Sequence, residues 1–398
     1  MKDKLKVKVG PSRLRDMMEF RNIPHRRDRA IDVATDEPIK AEFRINGNAG
    51  LLHPHVQEMT VAGTVEHPES DARTVVLKKT DGTPAAWFRA GQFVSVRLET
   101  GRGVSSRPFS IVSSPAETGA GVVSITVRRK EDGFVSSHIL DRLKEGDRVL
   151  ISEPCGQFFH DDIRDSRNVV AVAGGSGITP FMSMARAIRD GVEDFNLTII
   201  HGSRTWGSIL FREELEEISG QTDKVKVIDV LSDEEHDGYE HGFINADIIR
   251  RYAPEDYTLF VCGPEGMHRS METVVRELGL PLRRVRHEVC GVPAAVHEER
   301  SFRLRVIQGA DEHVMKASSR ETLLVTMEWA GIRVPSRCRS GECGFCRSLL
   351  VSGEVFIPKQ FDRRRAVDRQ TGRIHPCCAF PVSDIVLEIP ADDMDADF

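Results

Sequence analysis

The sequence predicts a multidomain chain: an antiparallel β-barrel, an α/β domain with a doubly wound parallel sheet, and a smaller α+β domain. Three observations carry that expectation. From Val56 to about Phe159, short alternating segments separated by turn residues read as strands of a small closed barrel. From about Asn168 to Arg286, buried strands alternate with helices, the pattern of βαβ units. Further on, Cys338, Cys343 and Cys346 are gathered in one glycine-containing stretch, with a cysteine pair about thirty residues later.

At 398 residues the chain is too long for a single core, so two to three domains are expected. A net charge of −6 argues against nucleic acid or an anionic membrane as the main partner. No apolar run is long enough to span a bilayer, and Met1–Lys8 lacks the apolar stretch of a signal peptide. Of the eight cysteines, Cys155, Cys262, Cys290 and Cys378 are widely scattered. That is no disulfide framework, and a reducing cytoplasm is the expected location.

Residues 1–55 form an N-terminal extension of unassigned role, with a short helix expected over Pro11–Phe20 and no steady period up to Pro54. Residues 56–160 hold the barrel, with strands expected at Val56–Glu66, Thr74–Lys79, Phe88–Leu98, Val122–Arg128 and Val149–Glu153, and a helix at Val135–Leu143. Residues 161–296 hold the α/β domain. Its expected strands are Asn168–Val172, Leu197–His201, Val225–Leu231 and Thr258–Cys262, and its helices Pro180–Arg189, Phe211–Glu217, Ala246–Tyr252 and Gly266–Leu278. His287–Arg300 reads as a linker. Residues 301–398 open with a strand at Phe302–Ile307 and carry a helix at Glu321–Ala330, closed by Gly331.

The cysteine spacing C-x4-C-x2-C of Cys338, Cys343 and Cys346 is that of a 2Fe–2S cluster. A fourth ligand comes from Cys377 or Cys378, which spacing cannot separate. A cluster carries negative charge and needs inward-pointing N–H groups, and Gly341 and Gly344 allow the backbone to supply them. Structural zinc favours paired knuckles, so three cysteines plus one point away from it. Two further stretches carry chemistry. Gly174-Gly175-Ser176-Gly177-Ile178-Thr179-Pro180 follows a buried strand and opens a helix, where glycines admit a pyrophosphate to helix N–H donors. Cys262-Gly263-Pro264-Glu265-Gly266-Met267 follows a later strand of the same expected sheet, at the edge where ligands bind.

These motifs resemble known families. Residues from about 302 onward resemble a plant-type ferredoxin domain, a β-grasp fold. Its closing C-x-A-x-P matches Cys377-Cys378-Ala379-Phe380-Pro381 and implies Cys377 as the fourth ligand. Arg107-Pro108-Phe109-Ser110, with Phe88–Phe93 before it and Pro154–Phe158 after it, resembles the flavin domain of the ferredoxin–NADP reductase superfamily. That resemblance implies Arg107 on the flavin phosphate, Phe109 against the flavin ring and Ser110 near the hydride-accepting atom. The family more often has Tyr at the position of Phe109. Gly133-Phe134-Val135-Ser136 resembles the family's pyrophosphate element at a helix start, which implies FAD over FMN. The bland alternative is an ordinary helix cap by Ser136. The two nicotinamide motifs match the superfamily's G-G-x-G-I-T-P and C-G-P-x-x-M, and the resemblance places Cys262 beside the reacting carbon. Superfamily members that use NADPH often have Ser-Arg where Ser232-Asp233 stands. Asp233 would repel a 2′-phosphate and Arg204 partly offsets it, so NADH is expected over NADPH.

A nicotinamide gives a hydride and a 2Fe–2S cluster takes one electron, while a flavin can hold two electrons and release them singly. The implied route is NADH, FAD, one 2Fe–2S cluster, then an electron-accepting protein. The domain order resembles phthalate dioxygenase reductase and the reductases of phenylacetyl-CoA epoxidation, so the expected partner is an oxygenase or demethylase. Alternatives are another low-potential metalloprotein, such as a corrinoid protein, or a redox-sensing module without turnover. Ser110 and Cys262 are the expected catalytic residues.

Overall fold

The computed structural model describes residues 14–34, 54–100, 103–130, 133–289, 291–292 and 298–390. The chain divides into two units, Met1–Asn48 and Ala49–Phe398. In the first unit a helix, α1, spans Leu14–Asp32 with Pro24 inside it. It runs well past the expected Phe20, and Pro11 lies outside the described residues. Leu, Arg, Met and Glu favour the helix throughout, whereas Pro24 removes one backbone bond and hides the continuation from a periodicity search.

The second unit begins with six strands: β1 (Val56–His67), β2 (Ala72–Lys79), β3 (Phe93–Thr100), β4 (Gly103–Ser110), β5 (Val122–Arg128) and β6 (Arg148–Ser152). They are ordered β4-β3-β6-β1-β2-β5 and all pair antiparallel. A bridge between Ile111 and Ile125 ties β4's end to β5. Inside lie Val61, Val75, Leu77, Val96, Val123, Ile125 and Ile151. Helix α2 (Phe134–Arg142) contributes Val135 and Ile139 to that core. The strand expected from Phe88 starts only at Phe93, because Gly91 turns the chain at φ +102°. A Cβ there would sit 2.1 Å from the Phe158 carbonyl oxygen, so the approach demands glycine.

Next comes a parallel sheet of β7 (Asn168–Gly174), β8 (Asn196–Ser203), β9 (Val225–Leu231), β10 (Glu240–His241), β11 (Thr258–Cys262) and β12 (Val285–Glu288). The order is β10-β9-β8-β7-β11-β12, every neighbour parallel. Helices α3 (Thr179–Arg189), α4 (Arg212–Gln221), α5 (Ala246–Tyr252) and α6 (Glu265–Glu277) flank it. Strand β7 feeds both faces: Val169, Ala171 and Ala173 pack into one core and Val170 and Val172 into the other. The linker expected from His287 begins instead inside β12, whose four residues are too few for a period to show.

The last domain has β13 (Ser301–Gln308), β14 (Asp311–Ser318), β15 (Ser348–Ser352), β16 (Val355–Phe356), β17 (Arg373–Ile374), β18 (Phe380–Pro381) and β19 (Ile385–Ile389). The main sheet is ordered β14-β13-β19-β15-β17, and helix α7 (Leu323–Trp329) packs Leu323 and Met327 on it. The helix starts two residues later than expected because Thr322 caps it, accepting from the Val325 N–H. Gly331 ends it at φ +78°. A short helix α8 (Ala366–Gln370) lies between β16 and β17.

Barrel and parallel sheet share one apolar core, in which Ala90, Val112 and Phe158 meet Phe181, Met184 and Phe260. A buried ion pair crosses the same junction: Arg286 donates to Asp165 at 2.9 Å and to the Gln157 carbonyl at 3.1 Å. Asp165→Ala leaves that guanidinium buried without its counter-charge. The expected cost is about 3–5 kcal/mol of stability, read as a lower urea midpoint for this part of the molecule.

Candidate active site and cluster-binding loop

The flavin motif lies on β4, the edge strand of the barrel sheet. Its side chains alternate between faces. Pro108 pairs with Ser95 across β3, and Phe109 packs against the barrel core. Ser110 donates to Glu288 at 3.2 Å, which joins the barrel to the end of β12. Arg107 uses one nitrogen, Nη1, to reach Ser105 Oγ at 2.6 Å, the Ser106 carbonyl at 2.8 Å and Glu328 of α7 at 3.2 Å. Burial, and then the neighbouring Arg339, push the Arg107 guanidinium down to about 10 despite Glu328. Two guanidiniums share one carboxylate here, an under-compensated positive site that suits a phosphate. Gly133 is the N-cap of α2, and no side chain caps it. Ser136 instead donates to the Gly133 carbonyl at 3.1 Å, so it does not serve as an ordinary cap. Phe134, Val135 and Ser136 form the first turn, whose N–H groups suit an anion.

The two nicotinamide motifs are pressed together at the carboxyl edge of the parallel sheet. A Cβ on Gly177 would fall 2.1 Å from the Cys262 carbonyl oxygen, and one on Gly174 would fall 2.7 Å from Pro264 and Met267. On Gly263 it would meet the Met267 sulfur at 2.7 Å. These contacts leave no room for a side chain at Gly174, Gly177 or Gly263 where Cys262, Pro264 and Met267 close on them. Thr179 donates to the Ser176 carbonyl at 3.0 Å, and Pro180 sits in the first turn of α3. Gly175 takes φ +52°. Cys262 is buried and is the register partner of Glu288. Glu288 therefore connects the two expected catalytic residues, Ser110 and Cys262, and it lies in the stretch from His287 onward that the sequence reads as linker.

Three more residues at this edge were not singled out. Arg128, at the end of β5, brings Nη1 to 2.6 Å from where a Gly175 Cβ would lie. Buried His201 places Nε2 3.1 Å from the Gly175 carbonyl, with Asp229 at 3.3 Å from its other nitrogen. Trp206 stacks on His236 at 5.6 Å and lies under Arg212 at 3.8 Å. Arg204 and Asp233 are neighbours, since the Asp233 N–H donates to the Arg204 carbonyl at 3.0 Å. Both are exposed, and Asp233 accepts from Ser232 Oγ.

The cluster loop brings its cysteines together. The neighbouring Cys338 thiol holds the Cys343 thiol well above the usual range. The Cys377 thiol lies beside those of Cys338, Cys346 and Cys378. Backbone donors already point at sulfur: Cys343 N–H to Cys338 at 3.3 Å and Phe345 N–H to Cys343 at 3.4 Å. Gly341 and Gly344 take φ +79° and +69°, and a Gly341 Cβ would lie 2.3 Å from the Phe361 carbonyl oxygen. Buried His375 braces the loop with Nδ1 2.8 Å from the Gly341 carbonyl. Thiols, amide donors and a buried setting fit an iron–sulfur cluster. Among the described residues no three His, Cys, Asp or Glu converge on a single metal ion, which bears on a lone ion and not on a two-iron centre.

A flavin barrel, a nucleotide-binding sheet and a cluster-binding domain in one chain define an electron-transferring reductase. The chain belongs to the ferredoxin–NADP reductase superfamily, with a plant-type 2Fe–2S ferredoxin domain following the flavin and nicotinamide domains. Residues 66–160 match the oxidoreductase FAD-binding domain, 171–273 the oxidoreductase NAD-binding domain and 306–382 the 2Fe-2S iron-sulfur cluster binding domain. The fold matches that of phthalate dioxygenase reductase with a TM-score of 0.62 and 26% identity, covering 84% of this chain and 98% of that one. The chain is 28% identical over 327 residues to the glycine betaine monooxygenase reductase subunit of Pseudomonas aeruginosa, covering 76% of this chain and 87% of that protein. It is 29% identical over 362 residues to the ferredoxin reductase component of 3-ketosteroid-9-alpha-monooxygenase from Mycolicibacterium smegmatis, covering 86% and 99%. The protein is an NAD(P)H-dependent oxidoreductase with FAD-binding, NAD-binding and 2Fe–2S domains. No helix among the described residues is long and apolar enough to cross a membrane.

The adjacent cysteines can be told apart chemically. Cys377→Ser is expected to lose most of its iron and acid-labile sulfide, whereas Cys378→Ser keeps both, as iron analysis and visible absorption of the purified variants would show.

Proposed function

We propose that the protein is the NADH-dependent reductase component of an oxygenase or demethylase system, located in the cytoplasm. One observation carries the reading: a single strand, β4, is joined at Ser110 to the nicotinamide edge and at Ser105–Arg107 to the cluster-bearing domain. Relatives of similar domain order are reductase components of monooxygenases, which supports an oxygenase as the receiving protein.

In this reading Arg107 and the first turn of α2, Gly133–Ser136, hold the phosphates of FAD, and Phe109 lies along the ring. When bound, the flavin supplies the conversion of a hydride into two single electrons. Gly174, Gly175 and Gly177 with Thr179 and Pro180 admit the nucleotide pyrophosphate, helped by Arg128. The Cys262–Gly263–Pro264–Met267 turn and Ser110 position the nicotinamide against the flavin, with Glu288 fixing Ser110. Asp233 accepts ribose hydroxyls and selects NADH. Cys338, Cys343, Cys346 and Cys377 hold the cluster. Cys343 is the exposed member and marks the side from which the partner takes electrons. Arg363, Arg365 and Arg369, exposed nearby in sequence, suit an acidic partner surface.

Anaerobic addition of NADH to the purified holoprotein is expected to bleach flavin and cluster absorption together. Flavin bleaching with a persistently oxidised cluster would refute the reading. Asp233→Arg is expected to move the kcat/KM preference toward NADPH by roughly tenfold or more, about 1.4 kcal/mol. An unchanged ratio in steady-state assays would remove Asp233 from the specificity site.

A further inference from the structure

The face of the ferredoxin domain that meets the barrel is mostly polar, with a ring contact, Trp329 on Phe134 at 5.8 Å. Ser106 Oγ reaches Ser336 Oγ at 2.8 Å and its carbonyl at 2.9 Å, and Ser95 Oγ donates to the Arg337 carbonyl at 3.1 Å. At the centre sits Glu328 on α7, its side chain nine-tenths buried. It accepts from Ser105 Oγ at 3.1 Å and from Arg107 at 3.2 Å, and it pairs with Arg339, the residue after Cys338. Arg339 also donates to the Ser106 carbonyl at 3.0 Å. Its backbone is at φ +53°, a left-handed conformation that non-glycine residues rarely adopt. A strained residue persists where its surroundings hold it, and here the holding groups are Glu328 and Ser106.

Glu328 is out of keeping with its own domain. In the helix Leu323–Trp329 it is the single acidic residue, and its partners Ser105 and Arg107 belong to the barrel. Among the described residues only Arg107 Nη1 is used in the seam, and there Nε and Nη2 keep three N–H donors for another anion. We propose that Glu328 is the docking latch of the ferredoxin domain: gripped by Arg107 and Arg339, it seats the cluster loop on β4, and through Arg107 it ties that docking to flavin occupancy. The proposal rests on the reductase reading above. Each residue has a positioning role. Arg107 binds flavin phosphate on one side and the latch on the other, so by linkage a bound flavin firms the docking and the docking firms the flavin.

The test uses holoprotein of wild type and Glu328→Gln, each checked for flavin, iron and sulfide content. Three measurements are made: NADH-to-ferricyanide turnover, stopped-flow flavin reduction followed by cluster reduction, and amide hydrogen exchange. Glu328→Gln is expected to retain NADH oxidation with ferricyanide and the rate of flavin reduction. Cluster reduction should slow roughly tenfold or more, as the docked population falls. Amides of 105–107 and 336–339 should exchange faster in the variant, and faster in wild type once flavin is removed. Unchanged cluster reduction and unchanged exchange in a fully loaded variant overturn the proposal. If Glu328→Gln loses its cluster, Glu328→Asp replaces it. Drawing the charge back by one methylene should slow cluster reduction by a smaller factor, and a wild-type rate there equally overturns the proposal. Failure of wild type to reduce its cluster with NADH would instead refute the reductase reading.

Discussion

The edge strand β4 constrains everything around it. An uncovered edge exposes backbone donors and acceptors, and Ser105, Ser106 and Arg107 add polar side chains that need partners once buried. The ferredoxin domain covers that edge and supplies the partners: Glu328, Ser336 and Arg339. Four residues further on, Ser110 turns to Glu288 at the nicotinamide edge. At ~3.3 Å per residue, Ser106 and Ser110 are about 13 Å apart along the strand. One stretch of backbone thus sets the spacing between the edge of the parallel sheet and the ferredoxin domain.

The two junctions of the barrel are built differently, and the difference is functional. Against the parallel sheet the barrel contributes Ala90, Val112 and Phe158 to a common apolar core, reinforced by Arg286 and Asp165. Apolar area taken from water stabilises in proportion to its extent, so these two domains behave as one body. Against the ferredoxin domain, beside a ring pair, Phe134 on Trp329 at 5.8 Å, the contacts are chiefly hydroxyls and ions. Such groups lose nearly as much hydration as they gain in pairing, so they fix register more than they add affinity.

Much of this was legible because the chemistry is local. Cysteine spacing specifies a cluster loop within nine residues, and Gly341 and Gly344 take the positive φ that the motif requires. The glycines before α3 were equally readable, though the reason for Gly177, a carbonyl of Cys262 in its face, is tertiary. What escaped was non-local or short. Strand β12 has four residues and no period to detect, so Glu288 went unnoticed. Arg128 and His201 matter only because β5 and β8 end beside the same turn. Arg107 was assigned to a phosphate from its motif, and nothing in the sequence near it announces Glu328. A signal did exist: one carboxylate in an otherwise apolar and small helix face, and two serines in a barrel edge strand, both of which ask for partners.

The charges around Arg107 give the last step. Arg107 and Arg339 lie beside a single buried carboxylate, leaving one positive charge without local compensation, and burial with mutual repulsion depresses the Arg107 guanidinium. Such a site is costly while empty of a second anion, and a flavin phosphate is the anion proposed for it. The carboxylate feels the opposite balance. Burial pushes Glu328 up, but Arg339 and Arg107 together outweigh it and leave the carboxyl below its ordinary value. A depressed carboxyl contributes its stabilisation above the unfolded value and loses it only as pH falls through the still lower docked value. The seam therefore stays charged throughout the neutral range, and what modulates it there is the anion on the far side of Arg107 and not the proton.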